Sequence, residues 1–148
     1  MTTLYLDSHA FVKLFTDENP GEAAQVEAAL EQSGDLASSA ITHAEVCGVF
    51  ARQFQQGRMS EELYWETRQA FEDNWEQVNI VEVSTAVSRI AADVLKAQEG
   101  LRAMDALHLA SALALRQSTE IKFLTFDARL RDAAGRLMPE ALMPEATA

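Results

Sequence analysis

Four acidic residues fall where folding could bring them together: Asp7, Glu45, Asp105 and Asp127. Asp7 directly follows Leu4-Tyr5-Leu6, a short apolar run with the character of a buried strand. Asp127 comes one residue after a second such run, Ile121-Lys122-Phe123-Leu124-Thr125. Glu45 lies in the first turn of a helix-patterned segment that follows Leu36-Ala37-Ser38-Ser39. Asp105 opens the most apolar helical stretch, behind Leu101-Arg102-Ala103-Met104. Open parallel sheets bind ligands outside the carboxyl ends of their strands, so Asp7, Glu45 and Asp127 are expected at or near that edge. Carboxylates gathered there repel one another and raise each other's pKa. A divalent cation relieves the conflict, and hard oxygen donors suit Mg²⁺ or Mn²⁺. Such an ion activates water and stabilises charge on phosphorus, which points to phosphodiester hydrolysis.

Each acid also has a structural reading. Asp105 and Asp127 can serve as helix N-caps, and Glu45 can complement a helix dipole. Asp7 has the weakest such alternative, because a carboxylate ending a central strand is costly to bury alone. The combination of the four argues for the site. Around it, Thr125 stands two residues before Asp127, where its hydroxyl can orient that acid. His108 shares a helix face with Asp105 at i, i+3 and is expected to pack near the site and orient a partner. Ser8 reads as a helix cap and not as a nucleophile. His9 and His43 are dispersed, Cys47 reads as core, and Trp65, Phe71 and Trp75 on a long charged helix read as core by default.

The elements that must position these groups alternate along the chain. Strands are expected over 4–6, 36–39, 78–83 and 121–125. Helices are expected over 10–15, 20–32, 42–56, about 60–77, 84–100, 105–117 and 128–134. Asn19-Pro20-Gly21, Gly57, Gly100 and Gly135 punctuate them. Alternation of this kind calls for an α/β fold, a mostly parallel sheet flanked by helices on both faces. Little pattern remains after Met138.

The chain has 148 residues, 48% of them hydrophobic, enough for one substantial core. No apolar run reaches the roughly 20 residues of a membrane span, and the N-terminus lacks a signal-peptide pattern. With Cys47 as the single cysteine, a reducing cytoplasm is the expected compartment. A net charge of -11 argues against a protein that grips nucleic acid with a broad basic surface. It fits one that recruits cations or pairs with a basic partner.

Four segments resemble the motifs of PIN domains, particularly the VapC toxins of toxin–antitoxin systems. They are Leu4-Tyr5-Leu6-Asp7-Ser8-His9-Ala10-Phe11, Ile41-Thr42-His43-Ala44-Glu45-Val46, Met104-Asp105-Ala106-Leu107-His108-Leu109-Ala110 and Phe123-Leu124-Thr125-Phe126-Asp127-Ala128. His9 stands where the family most often has a small residue. The resemblance implies one PIN domain over residues 1–148, with a short irregular tail from about 138. It implies Mg²⁺- or Mn²⁺-dependent endonucleolytic cleavage of structured RNA such as tRNA or rRNA. It also implies a homodimer and a cognate antitoxin, which is expected to push an Arg or Lys into the acidic groove. The acids carry over as Asp7, Glu45, Asp105 and Asp127, with Ser8 and Thr125 as bordering hydroxyls. The rival readings are a catalytically silent PIN-like binding module and a haloacid-dehalogenase-like phosphatase. The latter wants a second Asp at the position of His9.

Overall fold

A computed structural model describes residues 2–16 and 18–145; Met1, Asp17 and residues 146–148 lie outside it. Among the described residues there are strands β1 (Thr3–Leu6), β2 (Asp35–Ser39), β3 (Asn79–Val81) and β4 (Ile121–Leu124). The helices are α1 (Ser8–Val12), α2 (Pro20–Glu31), α3 (Ile41–Gln55), α4 (Glu61–Trp75), α5 (Thr85–Ala97), α6 (Ala103–Arg116) and α7 (Ala128–Leu137). The sheet runs β3-β2-β1-β4 and every pairing is parallel. This is the α/β architecture that the alternation of elements requires.

Side-chain alternation along the central strands builds a core on each face. Tyr5 and Phe123 stack at 5.4 Å and point toward α5, α6 and α7. Leu4, Leu6 and Leu124 point the other way, onto Phe11, Val26, Val46, Phe50 and Phe71 from α1 to α4. All four residues of β1 are buried, as a strand covered on both faces must be. Buried small residues on α6 (Ala106, Ala110, Ser111 and Ala112) let that helix lie close against the sheet. The chain leaves β1 toward β2 on one side, while β4 takes the other. The sheet's switch point therefore falls between the carboxyl ends of β1 and β4, where Asp7 and Asp127 stand.

Several elements differ from the sequence-based expectation. Ser8 is not the cap of the first helix. Asp7 caps it, accepting from the Ala10 N–H at 2.9 Å, and Ser8 becomes its first residue. Asp105 likewise does not cap α6, because the helix begins one turn earlier with Arg102 as N-cap. The strand expected over 78–83 shrinks to three residues, since β3 is an edge strand with Ile80 and Val83 facing solvent. Beyond α7 the tail is not patternless. The Phe123 N–H donates to Ala141 O at 2.8 Å and the Met143 N–H to Phe123 O at 2.9 Å, covering the outer edge of β4. Among the described residues, no helix is long and apolar enough to cross a membrane.

The aromatic residues of α4 divide. Phe71 is fully buried, ringed by Phe11, Phe15 and Phe50, and Trp75 packs at the margin of that core. Trp65 is 56% exposed. Phe71→Ala should therefore lower the unfolding free energy by about 3–5 kcal/mol, and Trp65→Ala by no more than about 0.5 kcal/mol. Denaturant midpoints at unchanged slope measure both, and equal losses would contradict this core.

Candidate active site at the carboxyl edge of the sheet

Asp7, Glu45, Asp105 and Asp127 line one open cavity of about 260 Å³, together with Ser8, His9, His108 and Phe126. Four separate elements deliver the acids. Asp7 ends β1, Glu45 lies in the second turn of α3, Asp105 sits in the first turn of α6, and Asp127 caps α7 just beyond β4. Asp105 and Asp127 also border an adjoining depression with Arg102, Ala128 and Arg129.

Hydrogen bonds at helix N-termini fix three of the four side chains, Asp7 and Asp127 as caps and Asp105 as the residue that accepts from its helix's cap. Asp7 Oδ1 accepts from the Ala10 N–H, Asp127 Oδ1 from the Leu130 N–H at 2.9 Å, and Asp105 Oδ2 from the Arg102 N–H at 3.2 Å. A cap bond occupies one oxygen and locks the rotamer. The structural and functional readings of these acids thus coexist. The second oxygen of Asp7 accepts from the Thr125 hydroxyl at 2.5 Å, and the Asp127 N–H donates to that hydroxyl's oxygen at 3.2 Å. Thr125 therefore ties the ends of β1 and β4 together.

Glu45 is held differently. The Ser8 hydroxyl donates to it, and His108 Nε2 lies 3.1 Å from Glu45 Oε1 and 3.0 Å from Ser8 Oγ. On the other side of the ring, Tyr5 Oη is 2.9 Å from His108 Nδ1. Burial pushes the Tyr5 hydroxyl's pKa far up, so it stays protonated. The Glu45 carboxylate, held below its ordinary value, can only accept, which calls for the N–H on His108 Nε2. Ser38 and Thr42 share a bond of 2.7 Å beneath this cluster, and Ser38 also donates to Leu6 O. Tyr5 was missing from the sequence reading because an aromatic in a buried strand signals only core. Its hydroxyl acquires a role once α6 is packed over β1.

The electrostatics differ from acid to acid. Asp7 is buried, and desolvation raises its pKa against the opposing pull of His108, Thr125, the Ala10 N–H and His9. Burial also raises that of Glu45, but the His108 and Ser8 hydrogen bonds outweigh it and leave the carboxyl below its ordinary value. Asp105 is half-buried and Asp127 exposed. Among the described residues, no three of the four acids bring donor atoms within 4.8 Å of one another. The donor set is wholly hard carboxylate oxygen, which fits Mg²⁺ or Mn²⁺, and Mg²⁺ commonly keeps several of its waters.

Asp7 carries a stability consequence. Its folded pKa lies above the unfolded value, so the ionised form weakens the metal-free fold. That penalty disappears as pH falls through the folded pKa. Asp7→Asn keeps the Ala10 bond, and its amide can donate to Thr125 Oγ1. In EDTA at neutral pH it should melt above the wild type, with the gain shrinking toward about pH 4. A lower melting temperature than wild type at pH 7 would contradict the desolvation penalty assigned to Asp7.

The PIN domain family model matches residues 4–136. Ribonuclease VapC45 of Mycobacterium tuberculosis is 34% identical over 116 residues, 78% of each chain. A chain in a toxin–antitoxin complex from Klebsiella pneumoniae superposes with a TM-score of 0.66 at 20% identity, over 95% of this chain and 96% of that one. Mycobacterium tuberculosis VapC20, described as a sarcin-ricin loop cleaving toxin, gives 0.64 at 14% identity over 88% and 94%. The two structural likenesses speak to the fold, and the sequence match speaks to the lineage. With its four acids at the carboxyl edge of a parallel sheet, this chain belongs to the PIN domain family.

Proposed function

We propose that this protein is a metal-dependent endoribonuclease, the toxin of a toxin–antitoxin pair, acting in the cytoplasm on structured RNA such as tRNA or rRNA. The observation that supports it best is the meeting of Asp7, Glu45, Asp105 and Asp127 on one cavity of a PIN fold. The relative named a ribonuclease and the neighbour named a sarcin-ricin loop cleaving toxin support RNA as the substrate class.

In this reading the four carboxylates hold Mg²⁺ or Mn²⁺. The bound ion supplies positive charge against the reacting phosphate and lowers the pKa of a coordinated water. Thr125 fixes Asp7 at the centre of the edge, while Ser8 and the Tyr5–His108 pair fix Glu45. Arg102 and Arg129, both exposed beside Asp105 and Asp127, offer guanidinium groups to the RNA phosphates flanking the cut. A chain of net charge -11 needs such local cations, because most of its surface repels RNA. Water is the nucleophile, and the products carry 5′-phosphate and 3′-hydroxyl ends. Metal-free ribonucleases that use the RNA 2′-hydroxyl as nucleophile commonly enlist accessible histidines. Here His108 is buried with both nitrogens engaged, and His43 is held by Glu72. His9 alone lines the cavity from an exposed position.

The reading includes a homodimer and a cognate antitoxin. A basic side chain of the antitoxin entering the acidic groove substitutes for the ion's charge and silences the site. The neighbour described as a toxin–antitoxin complex supports such a partner. The alternative of a silent binding module predicts no cleavage with any divalent ion.

Asp105→Asn should lower RNA cleavage by at least about 10²-fold while the fold persists, as when one preorganised electrostatic group is lost. Wild-type products should ligate through 5′-phosphates, and a single 2′-deoxy substitution at the cut should still be cleaved. Unchanged activity of Asp105→Asn would overturn the site. A 2′,3′-cyclic phosphate product, with a resistant deoxy substrate, would overturn the hydrolytic mechanism.

A further inference from the structure

A second cluster of ligating side chains lies outside the acidic cavity. His43 and Cys47 stand one turn apart on α3, and Glu72 faces them from α4. One donor atom from each, a single imidazole nitrogen, the Cys47 sulfur and one Glu72 oxygen, all lie within 4.8 Å of one another. The Cys47 sulfur is 4.0 Å from His43 Nδ1, and His43 Nε2 pairs with Glu72. Among the described residues, Glu72 has no ion pair other than the one with His43. The ring of His43 is braced by Phe71 at 5.3 Å and Trp75 at 5.7 Å between centroids. All three ligating residues are half-buried, so an ion has a route in. Arg68 stands beside Cys47 and Glu72, with its guanidinium also 3.3 Å from the Tyr64 hydroxyl and over the Trp65 ring, so an incoming ion displaces it from the thiol.

We propose that His43, Cys47 and Glu72 form a binding site for a thiolate-accepting divalent cation such as Zn²⁺, fastening α3 to α4. The chemistry of the set differs from that of the acidic cavity. A thiolate and an imidazole select Zn²⁺ or Co²⁺ over Mg²⁺. His and Cys at i, i+4 project from one helix face and chelate together. Bonds of about 2.0–2.3 Å in a tetrahedral site place donors some 3.3–3.8 Å apart; Cys47 faces Nδ1 and Glu72 faces Nε2, so one of these two side chains swings to the nitrogen that takes the ion. The three protein ligands leave the fourth position to water. Binding replaces the thiol proton, which leaves to solvent, and displaces the His43–Glu72 hydrogen bond. Glu45, two residues from His43 on the same helix, turns to the other side and faces His108. The proposal is thus independent of the nuclease reading, and either can fail alone.

The test is a Co²⁺ titration of the full-length reduced protein in excess Mg²⁺, which keeps the hard carboxylates occupied. Near-ultraviolet thiolate-to-cobalt charge-transfer absorption reports the sulfur ligand, and carboxylates cannot produce it. The expected result is a band that saturates at one equivalent, is bleached by one equivalent of Zn²⁺ and is absent in Cys47→Ala. Glu72→Gln and His43→Gln should each weaken binding by at least about tenfold. The band should persist in Asp105→Asn. No band at millimolar Co²⁺ overturns the site. So does unchanged affinity in both Glu72→Gln and His43→Gln, since the thiol would then be binding alone. Should His43→Gln fail to fold, the half-exposed Glu72→Gln decides by itself.

Discussion

The Asp7 carboxylate is held out of water at the end of the sheet's central strand, and much of the structure follows from that constraint. An ionised group there costs free energy unless it is hydrogen-bonded or neutralised. The fold meets part of the cost with the Ala10 N–H on one oxygen and the Thr125 hydroxyl on the other. Both donors exist only because α1 starts directly after β1 and because β4 lies alongside it in register, Leu6 opposite Leu124. The parallel order that buries β1 on both faces also places the ends of β1 and β4 beside each other.

The same economy of placement runs through the other acids. Asp127 and Asp105 bond to the first turns of their helices, so the interactions that start α7 and α6 also aim the carboxylates. Glu45 lacks a cap role and is oriented instead by Ser8 and His108. His108 is in turn set by a tyrosine whose ring belongs to the core. Stacking of Tyr5 on Phe123 fixes the hydroxyl's position, so core packing reaches the cavity through one hydrogen bond. The acids keep their donor atoms apart, and the raised pKa of Asp7 comes from its burial.

The sheet class was legible because β1 and β4 are short, apolar and followed by helical patterns, and Asp7 and Asp127 stood out because they follow those runs. Less legible was which residue begins each helix. Ser8 has good cap chemistry, but Asp7 is one residue closer to the strand and takes the Ala10 N–H. The length of β3 was overread because Val81 and Val83 suggest a strand whatever covers them, and an edge position leaves Val83 exposed. Pairing of the tail with Phe123 depends on a free strand edge that no local pattern announces. His43 read as dispersed because its partner Glu72 lies on another helix, and only the packing of α3 on α4 joins them.

The proposed function requires that the four acids act as one hard-cation site. The most direct measurement is thermal unfolding of the Cys47→Ala variant in EDTA and in rising Mn²⁺, with Asp7→Asn/Asp105→Asn in the same background as the comparison. Removing the thiol keeps the cluster between α3 and α4 silent. Stabilisation should grow with Mn²⁺, reaching about 2.7 kcal/mol at a hundred times the dissociation constant, and should be lost when both acids become amides. A melting temperature indifferent to millimolar Mn²⁺ in the Cys47→Ala protein, or an equal rise in the double amide, would contradict it.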